Sequence, residues 1–232
     1  MARQPGPFGV SSVTVSLPSF LREVFSCSGE IAASIARGAQ DRHFAVRTIL
    51  LKQGDKAGTT FLLVAGRAHA LTFSSEGQEI LLHEFLPGDF FGAVALSDPS
   101  PQQADVIAVE AVRAAVFLAL DFLRLIEAHS CVGLVVSKAL LKQLHATSTR
   151  MVEQTTMSVA GRVHMELLRL ARAGDGRTIR PSPVIAALAV RVHSTRETVS
   201  RTINALERRG IIRRDDDALF IVAPQRLEEL IV

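Results

Sequence analysis

The chain contains few of the residues and runs that mark exported, membrane-spanning or metal-binding proteins. Of its 232 residues only two are cysteine, Cys27 and Cys131, which are too few and too isolated for a structural zinc site or a cysteine-ligated cluster. No apolar run approaches the length of a membrane span, and residues 1–18 lack the apolar core of a signal peptide. We therefore expect a cytoplasmic protein with reduced thiols and no membrane partner.

Histidine pairs of the kind that hold catalytic metals are also missing. The seven histidines form neither an H-x-H nor an H-x-x-x-H pair. An enzyme with a histidine-bound metal in a cupin-like β-roll would need such clustered ligands, although a set assembled in space stays open. We expect no metal, no catalytic residues and no enzymatic activity, and metal analysis of the purified protein separates the two classes.

Charge is distributed unevenly along the chain. Residues 1–158 contain 13 basic and 14 acidic residues, whereas residues 159–232 contain 13 basic and 9 acidic residues, a net charge of +4. All 13 basic residues of the C-terminal segment are arginine. Because a guanidinium group matches the geometry of phosphate and guanine better than an ammonium group does, the asymmetry favours a nucleic-acid partner for this segment.

Residues 194–201, with the sequence STRETVSR, are the most informative stretch. Ser194 and Glu197 form an S-x-x-E capping box that predicts the start of a helix, and Gly210 predicts its end. Four polar residues at helical spacing then share the N-terminal part of one face: Arg196, Glu197, Ser200 and Arg201. Arginine can bind guanine O6 and N7 together, and glutamate can accept a hydrogen bond from cytosine N4. This face is therefore suited to reading a short DNA sequence in the major groove.

The neighbouring residues decide between a DNA-reading helix and an ordinary solvated helix surface. Ser182-Pro183 predicts the start of a preceding helix with a buried face, and residues 191–193 predict a short turn. Residues 211–214 and 218–222 flank three aspartates and predict a β-hairpin. A helix, a turn, a second helix and a hairpin make a winged helix-turn-helix, so we favour DNA reading.

The first two thirds of the chain combine helical and strand patterns. Residues 19–39 predict helix, and short apolar runs broken by polar turns predict strands at 48–51, 61–64, 68–73, 80–85 and 90–92. Strands at this spacing predict a β-roll or small barrel. From Asp121 to Thr155 the period is helical, and apolar or small residues at alternating steps of three and four predict a coiled-coil seam: Leu134, Ser137, Leu141, Leu144, Ser148, Met151 and Thr155. Packing of this helix against its own domain is the alternative.

The whole pattern resembles the bacterial transcription regulators of the cyclic-AMP receptor protein/FNR (CRP/FNR) family. The resemblance covers residues 20–225 and is carried by the string RETVSR at 196–201 and by the glycine turns at 54–55 and 88–89. It implies an α+β fold: a β-roll sensor of the cyclic-nucleotide-binding type over residues 1–120, a dimerisation helix and hinge over 121–157, and a winged helix-turn-helix over 158–232. It also implies a homodimer that binds double-stranded DNA and works with RNA polymerase, with Leu134, Leu141, Leu144, Ser148 and Met151 at the dimer interface.

The resemblance also implies which bases are read. Glu197 and Arg201 would read the TGA core of a half-site, and the expected DNA-binding set is Thr195, Arg196, Glu197, Thr198, Ser200 and Arg201. Arg196 implies a leading G and Ser200 a leading T; both stay open, and bidentate binding by arginine favours G. Two positions depart from the family. His193 stands where glycine is common, and Ile185 replaces a phosphate-contacting arginine.

The sensor departs further from the cyclic-AMP binders of the family. Those proteins carry a glutamate for the ribose and an Arg-Ser pair for the cyclic phosphate. The corresponding residues here, which begin at Gly92 and Ala93 and end at Gln103 and Ala104, include neither. Because a buried phosphate without a cationic partner carries a large desolvation penalty, we expect ordinary cyclic-AMP binding to be weak or absent.

The expected effector pocket has one further part. Thr147 and Ser148 fall where the cyclic-AMP receptor protein has a Thr-Ser pair that contacts adenine, although a seam or surface role is the alternative. The expected pocket is therefore Gly92, Ala93, Gln103, Ala104, Thr147 and Ser148. No cofactor is expected, and the effector is unidentified. A cyclic nucleotide or cyclic di-GMP stays open, the latter with Arg67, Arg150 and Arg162 as available phosphate ligands, and so does a sensor that needs no effector.

Overall fold

The computed structural model describes residues 15–56, 58–73, 77, 79–92 and 101–231. Within these ranges, contacts divide the chain after His145 into two compact units. No helix in the described ranges is both long and apolar enough to cross a membrane. Ala93 of the expected effector pocket lies outside the described residues.

The first unit begins with two short helices, continues with strands and ends in helix. Its elements are α1 (Leu17–Phe25), α2 (Gly29–Arg37), β1 (Gln40–Phe44), β2 (Ile49–Leu51), β3 (Thr59–Ala65), β4 (Ala68–Phe73), β5 (Glu79–Phe85), β6 (Phe90–Gly92), β7 (Asp105–Ala108), β8 (Val112–Leu118), α3 (Ala119–Ala128) and the first part of α4 (Ser130–Thr156). The helical segment predicted at 19–39 is thus two helices. They are separated at Ser26, whose φ is 47°, and the Ser28 hydroxyl caps α2 by accepting a hydrogen bond from the Ile31 N–H.

The strands form two four-stranded antiparallel sheets, in the orders β1-β8-β3-β6 and β2-β7-β4-β5. Buried side chains from both sheets form one apolar cluster. Within it the Phe61 and Phe91 rings stack with centroids 4.9 Å apart, and the Phe85 ring lies 4.8 Å from that of Phe91. The predicted β-roll is therefore present, with aromatic side chains at the centre of its core.

The predicted strands are confirmed within two residues of their predicted ends, but three strands of the roll were not predicted individually. β1 has the polar sequence QDRHF, whose burial pattern is nearly all exposed, so it carries no alternation signal. β7 and β8 lie beyond residue 100, where the sequence patterns predicted no strand. Pairing with β3 and β1 places β8 inside its sheet.

The continuous helical period predicted from Asp121 to Thr155 corresponds to two helices. α3 ends at Ala128, and His129 adopts an extended conformation (φ −132°, ψ 102°) before α4 begins. Val132 and Val136 are buried on one side of α4. The period alone could not locate the break, because residues on both sides of His129 keep helical spacing.

The second unit is built around three helices and a small sheet. Its elements are the end of α4, α5 (Val159–Arg172), β9 (Thr178–Ile179), α6 (Ile185–Arg191), α7 (Arg196–Arg208), β10 (Ile212–Arg214), β11 (Leu219–Ile221) and α8 (Pro224–Glu229). The sheet order is β10-β11-β9, all antiparallel. The predicted winged helix-turn-helix is present, with β9 as an added strand. Burial of Leu167, Leu188 and Ile203 brings α5, α6 and α7 into one core.

Candidate nucleic-acid interface

Helix α7 begins one residue later than the capping box predicts. Its N-cap is Thr195, whose hydroxyl accepts a hydrogen bond from the Thr198 N–H at 3.2 Å, so Ser194 is not the cap. The helix ends as predicted before Gly210, whose φ of 66° is left-handed. The start of the preceding helix α6 was also placed too early. Val184 is its N-cap, and Pro183 lies before it.

The two faces of α7 differ in burial and chemistry. Val199, Ile203 and Leu206 are almost fully buried in the core of the unit. The expected DNA-binding residues lie on the other side: Thr195, Arg196, Glu197 and Arg201 are exposed, and Thr198 and Ser200 are partly exposed. Arg196, Glu197, Ser200 and Arg201 together form the surface that we call the reading face. The core thus holds the helix so that its N-terminal turns present these side chains to solvent.

Local hydrogen bonds orient the reading face. Arg201 donates through Nη2 to the Thr198 hydroxyl at 3.3 Å and through Nε to the Glu197 carbonyl at 3.4 Å. The pKa of Glu197 is lowered, first by a hydrogen bond from its own backbone N–H and then by one from Thr195. Glu197 is therefore a carboxylate at neutral pH and can only accept hydrogen bonds. That property suits the exocyclic amine of cytosine.

The turn between α6 and α7 is held from the end of α4. His193 has a left-handed φ of 52°, a conformation that histidine tolerates better than most residues. A side-chain nitrogen of Gln154 lies 2.9 Å from His193 Nδ1. Arg162 donates to the backbone carbonyls of Val192 and Met157, both at 3.0 Å. The departure from glycine at 193 is therefore compatible with the turn, and the residues that support it were not identified from the sequence.

A buried carboxylate on α5 contacts the end of α6. Glu166 on α5 has 8% relative exposure, and its carboxylate oxygens lie 3.5 Å from Arg191 and 3.5 Å from Arg169. Burial raises the pKa of Glu166, and the two arginines counteract part of that effect. Arg169 also pairs with Glu153 on α4. This cluster joins α4, α5 and α6 within the second unit.

The wing is acidic at its tip and tied to α7 at its base. Asp215 accepts hydrogen bonds from the N–H groups of Asp217 and Ala218 and so closes the turn between β10 and β11. Arg214, at the end of β10, donates to Asn204 at 2.8 Å and pairs with Glu207 at 2.6 Å, both on α7. The three aspartates are therefore a structured, solvent-exposed turn next to the recognition helix.

Residues of the predicted seam are exposed on α4. Leu134, Leu141, Leu144 and Met151 expose between 56% and 66% of their surface, and Ser148 is also exposed. Apolar side chains of this size are seldom left in water along one stripe of a helix. The stripe therefore has the exposure expected of a surface that another chain covers.

The expected effector residues are scattered. Gly92 ends β6 with a φ of 91°, and a Cβ there would collide with the Thr59 carbonyl, so the backbone alone requires glycine. Gln103 is exposed, while Ala104 is buried in the roll core. Thr147 and Ser148 are exposed on α4 and belong to the second unit. None of these described residues is a cation.

Two of the arginines that could bind cyclic di-GMP already have partners. Arg67 pairs with Glu110 and lies 3.8 Å from Glu84, and Arg162 is engaged by the two carbonyls described above. Arg150 contributes to the electrostatic environment of Glu166. Local contacts thus account for Arg67 and Arg162.

The two cysteines are not isolated from each other. A hydrogen bond links their thiols, and burial followed by the nearby Cys131 raises the pKa of Cys27. Both are free thiols in the first unit. The sequence did not predict this contact, because the two cysteines are far apart along the chain. In the described part of the chain, no group of three or more histidine, cysteine, aspartate or glutamate residues could hold a metal ion.

Comparisons with known proteins cover both units. Residues 41–129 match the family described as cyclic nucleotide-binding domain, and residues 161–230 match the Crp-like helix-turn-helix domain. The cAMP-activated global transcriptional regulator CRP of Salmonella typhimurium is 29% identical over 171 residues, 72% of this chain and 81% of that protein.

Solved structures have the same fold. A CooA mutant from Carboxydothermus hydrogenoformans has a TM-score of 0.76 at 19% identity, covering 91% of this chain and 95% of that one. The c-di-GMP responsive global regulator CLP of Xanthomonas campestris has a TM-score of 0.73 at 17% identity, covering 83% of this chain and 99% of that one. With a β-roll, a recognition helix carrying RETVSR and matches to both family domains, the chain belongs to the CRP/FNR family of transcriptional regulators.

Proposed function

We propose that the chain acts as a homodimer on an inverted-repeat operator with TGA-type half-sites. The observation that carries the proposal is the exposed reading face of α7, on which Arg196, Glu197 and Arg201 project beside a buried Val199 and Ile203. Two-fold symmetry would place the half-sites about 34 Å apart, one turn of DNA. Arg196 favours a leading G in each half-site.

The exposed stripe on α4 supports the dimer. Replacement of both Leu141 and Leu144 by alanine removes apolar area from its centre, so we expect weaker dimerisation and, since both half-sites must be bound together, weaker operator binding. Sedimentation velocity measures the first effect and fluorescence anisotropy the second. An unchanged dimer and unchanged affinity would contradict this arrangement, and Leu118→Ala, an exposed leucine outside the stripe, is the matched control.

We further propose that ordinary cyclic AMP does not control this regulator. The lack of a cation at Gln103 and Ala104 supports this part, because a cyclic phosphate held there would have no charged partner. An effector of other chemistry would act by shifting the pairing of the α4 helices and thereby the spacing of the two α7 helices, a population shift between dimer states. Constitutive binding is the alternative. The Xanthomonas protein is described as responsive to cyclic di-GMP. In this chain Arg67 and Arg162 have other partners, so they do not support the binding of cyclic di-GMP.

The test is fluorescence anisotropy of a labelled palindrome with TGTGA half-sites against a scrambled duplex at one salt concentration. It is run without ligand, with cyclic AMP and with cyclic di-GMP. We expect selective binding that cyclic AMP does not change. Selective binding that appears with cyclic AMP alone would contradict the proposal for the sensor, and equal affinity for both duplexes under all three conditions would contradict constitutive binding to this operator.

A further inference from the structure

A shallow groove of about 500 Å³ lies between α5 and α7 in the second unit. Its polar lining consists of Arg201, Arg209, Thr198, Thr202 and His164. Arg201 and Arg209 are exposed, and the threonines are partly exposed. The groove is therefore open to solvent and bordered by two guanidinium groups and two hydroxyl groups.

The charge of the groove is positive. No carboxylate belongs to its lining, and within the described residues no acidic side chain forms an ion pair with Arg209. Burial lowers the pKa of His164, whose Nδ1 lies 3.0 Å from the Leu230 carbonyl, so this ring is neutral at pH 7. Two arginines thus set the charge, in contrast to Arg169, Arg172 and Arg214 of the same unit, which are paired with glutamates.

The position of the groove on α7 relates it to the reading face. Residues advance by 100° each around a helix, so Thr198, Thr202 and Arg209 follow one another along a single side, at steps of four and seven residues. Arg201 belongs to the reading face and also lines the groove, so the two surfaces adjoin at this residue. Because the groove is open to solvent next to the reading face, a strand backbone that runs beside the inserted helix can reach it.

We infer that the groove binds a phosphate of the DNA backbone, held by the guanidinium group of Arg209, since the Thr202 hydroxyl already donates to the Thr198 carbonyl at 2.9 Å. This inference rests on the proposed function and extends the DNA-binding surface two turns beyond the reading face. Arginine and hydroxyl side chains are the usual phosphate ligands at protein–DNA interfaces, and such contacts hold the protein on the duplex without reading bases. Arg209 therefore contributes affinity, while Arg196 and Glu197 contribute selectivity.

The test compares Arg209→Gln with Arg208→Gln, since each removes one positive charge from neighbouring exposed residues and Arg208 does not line the groove. Anisotropy is measured with the operator and with a scrambled duplex over a series of salt concentrations. For Arg209→Gln we expect affinity for both duplexes to fall by about 3- to 10-fold, with unchanged preference, and the slope of log K against log salt to lose about 0.9. For Arg208→Gln we expect a clearly smaller loss and an unchanged slope.

Three results would overturn the inference. If the wild type binds normally and Arg209→Gln binds both duplexes with the same affinity as the wild type, the phosphate site in the groove is refuted while the proposed function stands. Equal losses in the two variants would indicate a general charge effect and would also overturn it. A wild-type protein that binds no duplex would overturn the proposed function together with this inference.

Discussion

The recognition helix and the β-roll hold their candidate site residues in different ways. On α7 the expected DNA-binding residues lie within seven consecutive positions, and helical geometry alone puts most of them on one exposed side. The expected effector residues instead belong to separate parts of the chain, and two of the described ones in the roll have structural roles: Gly92 in the backbone of β6 and Ala104 in the core. A local site can thus be identified from spacing, whereas a site assembled across strands cannot.

The two regions also differ in charge. The reading face carries two arginines and a carboxylate in solvent, whereas the described residues of the expected effector pocket carry no formal charge. The β-roll nevertheless forms, because its stability comes from apolar contacts between two sheets and not from a bound phosphate. The fold of the β-roll therefore does not specify a ligand, whereas the exposed side chains of α7 favour DNA as the partner of the second unit.

The greatest loss is expected from a change on the buried side of α7. Ile203→Ala removes a side chain with no exposed surface from the core that holds the helix, so we expect the free energy of unfolding to fall by about 2–5 kcal/mol. Denaturant unfolding followed by circular dichroism measures this loss. Arg208→Ala, on the exposed side, is the control and should change stability by less than about 0.5 kcal/mol. Equal losses would show that the two faces of α7 are not divided as described.

A smaller effect is expected from the reading face itself. Arg201→Ala should cost about 1–3 kcal/mol of specific DNA binding and relax the base preference at one position, because it removes a guanidinium that can bind guanine at two atoms. Anisotropy with operators that vary one base at a time measures both quantities. An unchanged sequence preference would refute the assigned role of Arg201. The variant should unfold like the wild type, because Arg201 is exposed.

An ion pair in the roll is expected to make the free energy of unfolding depend on pH. Arg113 donates to both carboxylate oxygens of Asp41, at 2.9 Å and 2.7 Å, which joins β8 to β1 and lowers the pKa of Asp41 below its ordinary value of 3.8. A depressed carboxyl pKa contributes stability above the unfolded-state value and loses it as pH falls through the folded-state value. Asp41→Asn should therefore cost about 1 kcal/mol at pH 7, after allowance for the partial exposure of the pair, and progressively less as pH falls through the folded-state pKa of Asp41.

Glu166 in the second unit is expected to change the pH dependence of stability in the opposite direction. Its folded-state pKa is raised by burial, so the stability it contributes is complete below the unfolded-state pKa and is lost as pH rises through the raised value. Unfolding of Glu166→Gln and Asp41→Asn from pH 2 to pH 7 should thus give differences from the wild type that change with pH in opposite directions. Parallel changes would contradict the environments described for the two carboxylates.

Cyclic AMP is expected to change the roll least of all. A ligand at one hundred times its dissociation constant stabilises a protein by about 2.7 kcal/mol, which calorimetry detects readily. Because Gln103 and Ala104 supply no cation, we expect no change in the melting temperature in millimolar cyclic AMP. A clear upward shift would remove the difference between the two regions and would mean that residues outside the expected effector pocket bind the phosphate.

Features that depend on neighbouring residues in sequence were predicted from the sequence with small errors. The wing hairpin, the end of α7 at Gly210 and β4 at Ala68–Phe73 were identified from turn residues and alternating patterns. The errors were also local. Ser194 and Thr195 are both good N-caps, and only the backbone geometry decides that Thr195 accepts the capping hydrogen bond.

Features that depend on distant contacts were missed. β1 is a polar strand that exists because it pairs with β8, more than seventy residues away. The contact between the thiols of Cys27 and Cys131 and the contact of Gln154 with His193 likewise join residues that no spacing relates. Periodicity reports which side of an element is apolar, and it does not report which element will cover that side.

Short-range patterns in the amino-acid sequence are enough to identify a DNA-reading regulator with a β-roll, because helix spacing, capping residues and arginine chemistry act over a few residues. Three arrangements become visible when the chain is folded: the burial of Glu166 among arginines, the support of the His193 turn by Gln154, and the groove that Arg209 and Thr202 share with His164. They arise from packing between helices far apart in the chain, where burial and distance, and not residue type, set the charge and the partners of each side chain.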